Sequence, residues 1–410
     1  MKPPYKISRK AVRQFLLHRQ HLFLPYSSRQ GTQERTLDML KQLECIQIDS
    51  VASVTKNQHL VLDARLQQYK PDFLNTLLRQ KKTFEYFANA MCVIPMEDFP
   101  IFKPIRERLQ AQIAPSLKTL QSVSQEILTC LAAEGPLPSR AFKSANKVHG
   151  YWDNTHPKTK ETSHALNLLF DSGVIQVAKR EGSERFFDLT EHCIPKDILD
   201  QATEISLSEA QQVLIEKYIR AYRIFSGHTS RFGWLNLKAA ERQTLLDDLQ
   251  HQDKIQTLEI EGIKRQYYIR TEDLEELNAF ETTPKKYFSH PIAFLPPLDN
   301  LLWSRERIQD FFAFDYKWEI YTPRAKRRYG PYAMPILWKD KFIGRIDATL
   351  SKQNQQFTVR LLQIEPHIKI TNTLRKHLVH ALNTFAQNHG AKTITIEKIE
   401  GQELTIKELL

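Results

Sequence analysis

Two stretches eighty positions apart repeat one another. IQVAKREGSERFFDL, from Ile175, and IQTLEIEGIKRQYYI, from Ile255, align without gaps. Ile175/Ile255, Gln176/Gln256, Glu181/Glu261, Gly182/Gly262 and Arg185/Arg265 are identical, and Phe187 stands opposite Tyr267. Each copy reads strand, Glu-Gly turn, strand, the pattern of a β-hairpin. Before each lies a helix-period segment, SHALNLLFDSGV or RQTLLDDLQHQDK, with Leu166 and Leu169 matched by Leu246 and Leu249. Self-similarity at a fixed period demands a supersecondary unit used more than once rather than one continuous core. Helix, short turn and hairpin predict a winged helix, in which the hairpin flanks the recognition helix of a helix-turn-helix.

A third copy lies near the start. TLDMLKQLECIQID aligns with ALNLLFDSGVIQVA, pairing Leu37 with Leu166, Leu40 with Leu169, Ile46 with Ile175 and Gln47 with Gln176. The alternation Ile46-Gln47-Ile48-Asp49 predicts a half-buried strand with Gln47 and Asp49 on one face. Gln47 has a plain reading, a strand-start residue inherited with the repeat, beside any chemical one. Asp49 has no acidic counterpart, since Ala178 and Leu258 occupy its place. Where the other copies carry a wing, this one continues Ser50-Val51-Ala52-Ser53-Val54 and Thr55-Lys56-Asn57.

The resulting division is a first winged-helix-like unit over 1–100, a linker helix over 101–120, a second winged helix over 121–200, a third over 201–284, and a C-terminal α+β domain over 285–410. The linker, FKPIRERLQAQIAP, is a charged helix bounded by prolines. Ser124 is the candidate N-cap of the helix SQEILTCLAAEG, with Ser139 capping the next. In the last domain a helix should begin near Ser304, two strands should flank a Lys-Asp-Lys turn, and TNTLRKHLVHALNTFAQNHG should form a Thr-capped, Gly-stopped helix. The fold class is α+β.

With only 12 glycines and no GxGxxG or Walker-type loop, a nucleotide cofactor is not expected. The start lacks a signal-peptide core, and no apolar run approaches the length of a membrane span. Cys45, Cys92, Cys130 and Cys193 have neither disulfide-framework nor zinc-ligand spacing. They are expected as reduced core residues of a cytoplasmic protein, without metal and without membrane association. The net charge of +11 favours a polyanionic partner. Arg324, Lys326, Arg327 and Arg328, next to Tyr329 in YTPRAKRRYGPY, predict a hairpin that grips a nucleic-acid backbone. The same cluster also reads as an ordinary solvated surface.

LECIQIDSVASV, FEYFANAMCVIP, LPPLDNLLWSR, FDYKWEIYTPRAKRRYGPY and MPILWKDKFIGRIDA together resemble the YcaQ/AlkZ-type winged-helix DNA glycosylases, over nearly the whole chain. The resemblance implies tandem winged helices cupping DNA and hydrolysis of the N-glycosidic bond of alkylated purines, including purines joined in interstrand crosslinks. Its catalytic signature is Gln-apolar-Gln in one branch and Gln-apolar-Asp in the other. Gln47-Ile48-Asp49 fits the second, YcaQ (AlkX) branch. One stretch departs: family members read closer to Glu-Tyr-Trp-Ala-His where this chain has Phe87 and Asn89, so no histidine role is assigned there.

A purine alkylated on a ring nitrogen is already cationic and leaves as a neutral base without an acid. One carboxylate then suffices, to stabilise the oxocarbenium-like sugar and to deprotonate water. Asp49 is assigned that role and Gln47 the holding of the water. Lys56 is read as a DNA contact rather than a Schiff-base nucleophile, which makes the enzyme monofunctional. His59, His228, Tyr86 and Phe87 are expected in structural roles, Asp299 and Trp303 as fasteners of the last domain, and Asp347 is a weak second carboxylate candidate. The partner is double-stranded DNA carrying alkylated bases or crosslinks, the protein is expected to be a monomer, and no cofactor is required. The competing class is a non-enzymatic winged-helix transcription regulator, for which basic charge and repeated motifs serve equally well.

Overall fold

The computed structural model describes residues 2–23, 30–150, 153, 156–229, 231–282, 292–401, 405 and 409. The expected boundary at 284/285 falls outside these residues. Two compact units emerge: one gathers Met1–Lys70, Ile219–Ser230 and Leu237–Leu410, the other Pro71–Tyr218 and Arg231–Asn236. Among the described residues no helix is long and apolar enough to cross a membrane.

In the first unit the helix Arg9–Arg19 starts where Ser8 Oγ accepts the amide of Ala11, which satisfies one of the orphan donors of a helix N-terminus. It buries Val12, Phe15 and Leu16 in a core shared with Leu258, Tyr267, Leu277 and Phe311. The strand Tyr5–Ile7 runs parallel to Ile255–Ile260, which pairs antiparallel with Tyr267–Arg270. That hairpin follows the helix Ala239–His251, as the repeat predicts.

The C-terminal part is a mixed sheet. Met334–Trp338, Lys341–Ser351 and Gln356–Ile364 are antiparallel neighbours, and Thr393–Ile396 returns parallel to Gln356–Ile364. The crossover is the helix Asn372–Asn388, capped by Thr371 Oγ1 on the Leu374 amide. Leu374, Leu378, Leu382 and Phe385 press from it onto Ile346, Phe357 and Val359. The expected helix near Ser304 is Arg305–Phe312, with Ser304 as its cap.

The second unit holds the hairpin Thr83–Phe87/Met91–Pro95, the helices Lys103–Thr119, Gln121–Glu134 and Glu161–Asp171, and the hairpin Ile175–Glu181/Glu184–Leu189. Leu166, Leu169 and Phe170 from the third of these helices join Ile127, Leu131 and Phe187 in burial.

Several local expectations fail for identifiable reasons. Ser124 is no N-cap, because one helix ends at Thr119 and the next begins at Gln121, with Leu120 as the junction, leaving Ser124 buried inside the second. Ser139 opens only a one-turn 3₁₀ segment, Ser139–Ala141, between a preceding proline and the extended Phe142. Pro115 does not end the helix predicted before it, which runs on to Thr119. A helical proline forfeits one hydrogen bond without forbidding continuation. Three cysteines are buried as expected, whereas Cys130 is partly exposed.

Candidate active site

The helix Gln33–Leu43 delivers the motif. It closes on Glu44, whose φ of 68° lies in the left-handed region, where a side chain is tolerated only if held. Arg220 holds it, with Nε 2.6 Å from Oε1 and Nη2 3.3 Å from Oε2. Asn300 Nδ2 then donates to the Cys45 carbonyl at 2.8 Å. Cys45 and Ile46 are fully buried. The strand is shorter than expected, Ile46–Gln47 only, so Asp49 does not share a strand face with Gln47. Asn57 fixes its end: Nδ2 donates to the Gln47 carbonyl at 2.8 Å, and Oδ1 accepts from the Leu298 amide at 3.2 Å. The Gln47 side chain is half-buried.

Asp49 sits just past the strand, half-buried. Its Oδ1 accepts the Val51 amide at 2.6 Å, the short turn an Asp makes with the backbone two residues on. Burial pushes its pKa above the usual carboxylate range, and the Val51 N–H works in the opposite direction. The charge of Asp49, second to burial, raises the pKa of the Tyr332 phenol. That hydroxyl is buried and has no hydrogen-bond partner among the described residues.

The loop after Asp49 is sewn to the C-terminal sheet through Ser53. Its carbonyl accepts from Leu350 N at 3.1 Å and Thr349 Oγ1 at 3.2 Å, and its hydroxyl donates to the Ala348 carbonyl. Arg360 Nη2 reaches Ser53 Oγ at 3.2 Å and Asp347 Oδ1 at 2.8 Å. Asp347 Oδ1 also accepts the Tyr332 amide at 3.3 Å. Burial raises the pKa of Asp347, with Arg360 acting against it. Val54 and Leu60 join the core beneath the sheet. Lys56, partly exposed, pairs backbone to backbone with Ala52 and precedes the helix Asn57–Asp63, taking the amides of His59 and Leu60 on its carbonyl.

The basic stretch is a loop with a 3₁₀ turn at Arg324–Lys326, not the expected hairpin. Pro323 and Pro331 have no N–H for a ladder, and the loop satisfies its backbone internally. The buried Glu319 carboxylate accepts the amides of Arg328, Tyr329 and Gly330 at 3.1, 2.8 and 3.1 Å. Arg327 turns back onto the carbonyls of Thr322 and Ile320. Arg324, Lys326 and Arg328 are exposed. Two guanidinium groups pack on the Tyr329 ring, Arg345 at 3.9 Å and Arg328 at 4.9 Å from its centroid. Gly330 has a φ of +110°, and a Cβ there would stand 2.2 Å from Asp347 Oδ2. The loop thus closes against the carboxylate that Arg360 links to Ser53.

Gln47, Asp49 and Lys56 thus lie on one short segment, which Ser53, Arg360 and Tyr332 link through Asp347 to the end of the basic loop, while Asn57 ties it to Leu298. Sequence reasoning gave Ser53, Asn57, Tyr332 and Arg360 no role. The visible signal for Arg360 was a lone cation inside the apolar strand FTVRLLQI. Asp299 is a fastener, in a bidentate pair with Arg65 at 2.7 and 2.9 Å and fully buried. The Trp303 indole donates to the Leu298 carbonyl at 3.1 Å. His59 bonds the Tyr69 hydroxyl at 2.9 Å, and Tyr86 donates to the Asp171 carbonyl at 2.7 Å. Among the described residues no three His, Cys, Asp or Glu side chains converge so as to hold a metal ion.

The fold matches a solved structure of Streptomyces sahachiroi DNA glycosylase AlkZ with a TM-score of 0.63 at 16% identity, covering 96% of this chain and 100% of that one. The family model described as DNA glycosylase AlkZ-like matches residues 40–388. A match over that much of the sequence assigns the enzyme class as well as the fold, and the chain belongs to the AlkZ-like DNA glycosylase family.

Proposed function

We propose that this enzyme is a monofunctional glycosylase of the Gln-x-Asp branch. It hydrolyses the N-glycosidic bond of N-alkylated purines such as N7-alkylguanine in duplex DNA, including purines joined in interstrand crosslinks. The observation that carries the reading is the Asp49 carboxylate, made more basic by burial, pinned through Oδ1 and set on a loop braced by Ser53. A partly desolvated carboxylate is a stronger base and a stronger electrostatic partner for a developing cation.

In this mechanism the cationic base departs neutral. Asp49 stabilises the sugar's oxocarbenium character and takes a proton from the attacking water, and the Gln47 carboxamide orients that water. Arg324, Lys326 and Arg328 contact DNA phosphates, Tyr329 and Arg327 shape the loop that carries them, and Lys56 contacts the backbone near the motif. A crosslinked base remains tethered to the opposite strand and cannot rotate freely into a closed pocket, so its excision does not rely on complete base flipping. The segments 1–100, 121–200 and 201–284 act as winged-helix units around the DNA, 101–120 as the helix between the first two, and 285–410 as the domain that braces the motif. The protein works as a cytoplasmic monomer.

The test is release of 7-methylguanine from alkylated duplex, followed by alkaline cleavage at abasic sites. Asp49→Asn should lower the rate at least ~100-fold, the range for loss of a general base. Wild-type release by that variant would remove Asp49 from the mechanism. Borohydride trapping of an adduct that disappears in Lys56→Ala would replace hydrolysis by lyase chemistry. Tight binding to a single DNA sequence, with alkylated duplex left intact, would favour the regulator.

A further inference from the structure

Among the described residues the exposed large apolar side chains are Val174, Leu207 and Tyr321, and Tyr321 stands apart at 81% exposure. A single exposed tyrosine needs no explanation by itself. What sets this one apart is how firmly the chain beneath it is held. Tyr321 is the third residue of a turn closed by the Thr322 amide on the Glu319 carbonyl at 2.9 Å. The carbonyls on either side of it, Ile320 and Thr322, both accept from the Arg327 guanidinium, at 3.1 and 2.8 Å. Pro323 follows with its own φ fixed. The ring meets that of Trp318 in a T-shaped contact, centroids 5.7 Å apart and planes at 72°.

Its surroundings point two ways. A few residues further along the loop, Arg324, Lys326 and Arg328 are exposed. In the other direction Trp318 packs edge-on against Tyr332, at 6.3 Å and 90°, and the Tyr332 phenol is the one that the Asp49 charge reaches. Two ring contacts therefore lead from the exposed tyrosine back to the phenol that senses the motif.

We infer that Tyr321 stacks on a nucleobase left without its partner at the damaged step of the duplex. Every base presents a π-face, so such a stack tolerates any sequence, as an enzyme guided by damage requires. Side chains that enter a base step act in the same way, filling the space where stacking has been lost. A tyrosine gives up only two side-chain torsions on stacking, and the turn that carries it is already fixed, which lowers the entropic cost. The cations of the loop cannot make this distinction, because phosphates are alike in intact and damaged DNA. This role rests on the reading of the loop as a DNA contact and adds to it a preference for a disrupted step.

The full-length protein is titrated by fluorescence anisotropy, over a series of salt concentrations, with two duplexes. One carries 2-aminopurine opposite a tetrahydrofuran abasic analogue, and the other carries 2-aminopurine paired with thymine. Wild type should bind the first more tightly and quench its 2-aminopurine. Tyr321→Ala should weaken that binding about fivefold to a hundredfold, the range for one base–aromatic stack, while losing the quenching and keeping the wild-type salt slope. Tyr321→Phe should retain the affinity, and both variants should unfold at the wild-type urea midpoint because the side chain is exposed. A wild type without preference or quenching, Tyr321→Ala equal to wild type, or an equal loss on both duplexes would each overturn the stack. A loss in Tyr321→Phe as large as in Tyr321→Ala would overturn it too, marking a hydroxyl–phosphate contact instead. Arg324→Ala separates the two readings. An unchanged salt slope there, with the tyrosine results as expected, would overturn the phosphate role of Arg324 alone. A flattened slope with Tyr321→Ala at wild-type affinity would overturn the stack alone.

Discussion

An ionised carboxylate held half out of water works against its own fold. Because burial raises the pKa of Asp49, the folded state is favoured when the group is protonated, and that benefit is lost as pH rises through its folded pKa. Asp49→Asn is therefore expected to melt no lower than wild type at pH 7. Its relative gain should shrink as pH falls through the raised folded pKa toward that of the unfolded chain, which thermal melts across pH 4–8 would check. Wild-type excision should decline as acid protonates Asp49, at a pH above that of an ordinary aspartate. Gly330 makes the opposite case. A methyl group there meets both an unfavourable φ and the Asp347 carboxylate, so Gly330→Ala should cost roughly 1–3 kcal/mol in urea denaturation. The sequence alone revealed Asp49 as the residue without a repeat counterpart. It could not reveal Tyr332 or Arg360, whose relevance depends on which strand lies beneath the motif.

The same limit holds for elements. Helix caps were legible where the signal is local: Ser304 and Thr371 stand at the predicted starts because a hydroxyl reaching an amide three residues on needs nothing distant. Both repeat hairpins were legible from alternation and the Glu-Gly turn. The basic stretch was misread because Glu319 collects its amides, and a buried carboxylate acting from outside the motif leaves no mark in the motif's own pattern. This arrangement sorts the cations. Alanine at Arg324, Lys326 or Arg328 should flatten the dependence of log affinity for duplex on log salt by about 0.9 per cation removed, measured by fluorescence anisotropy. Arg327→Ala should instead loosen the loop, since its guanidinium bonds carbonyls of the loop itself. Arg360→Met, which leaves buried Asp347 without its cation, should destabilise by about 1–2 kcal/mol, allowing for the partial exposure of the arginine.

At the scale of the molecule, local periodicity shows how the chain was assembled better than how it is packed. The repeats divide the sequence into consecutive pieces, whereas the compact units are stitched from separated ones. Arg65 and Asp299, 234 positions apart, are an example. Either residue alone is an unremarkable charge in the sequence, and together they are a dry ion pair. Arg65→Leu should cost ~3–5 kcal/mol by stranding the carboxylate, and adding Asp299→Leu should recover part of that loss, as chemical denaturation of both variants would report. The tie from Ser53 to Leu350 and Thr349 has a consequence for biosynthesis. The ribosome makes Asp49 early but the strand that braces its loop nearly three hundred residues later, so, with Asp49 in the proposed role, a nascent or prematurely terminated chain is expected to be inert toward the genome until its final sheet has formed.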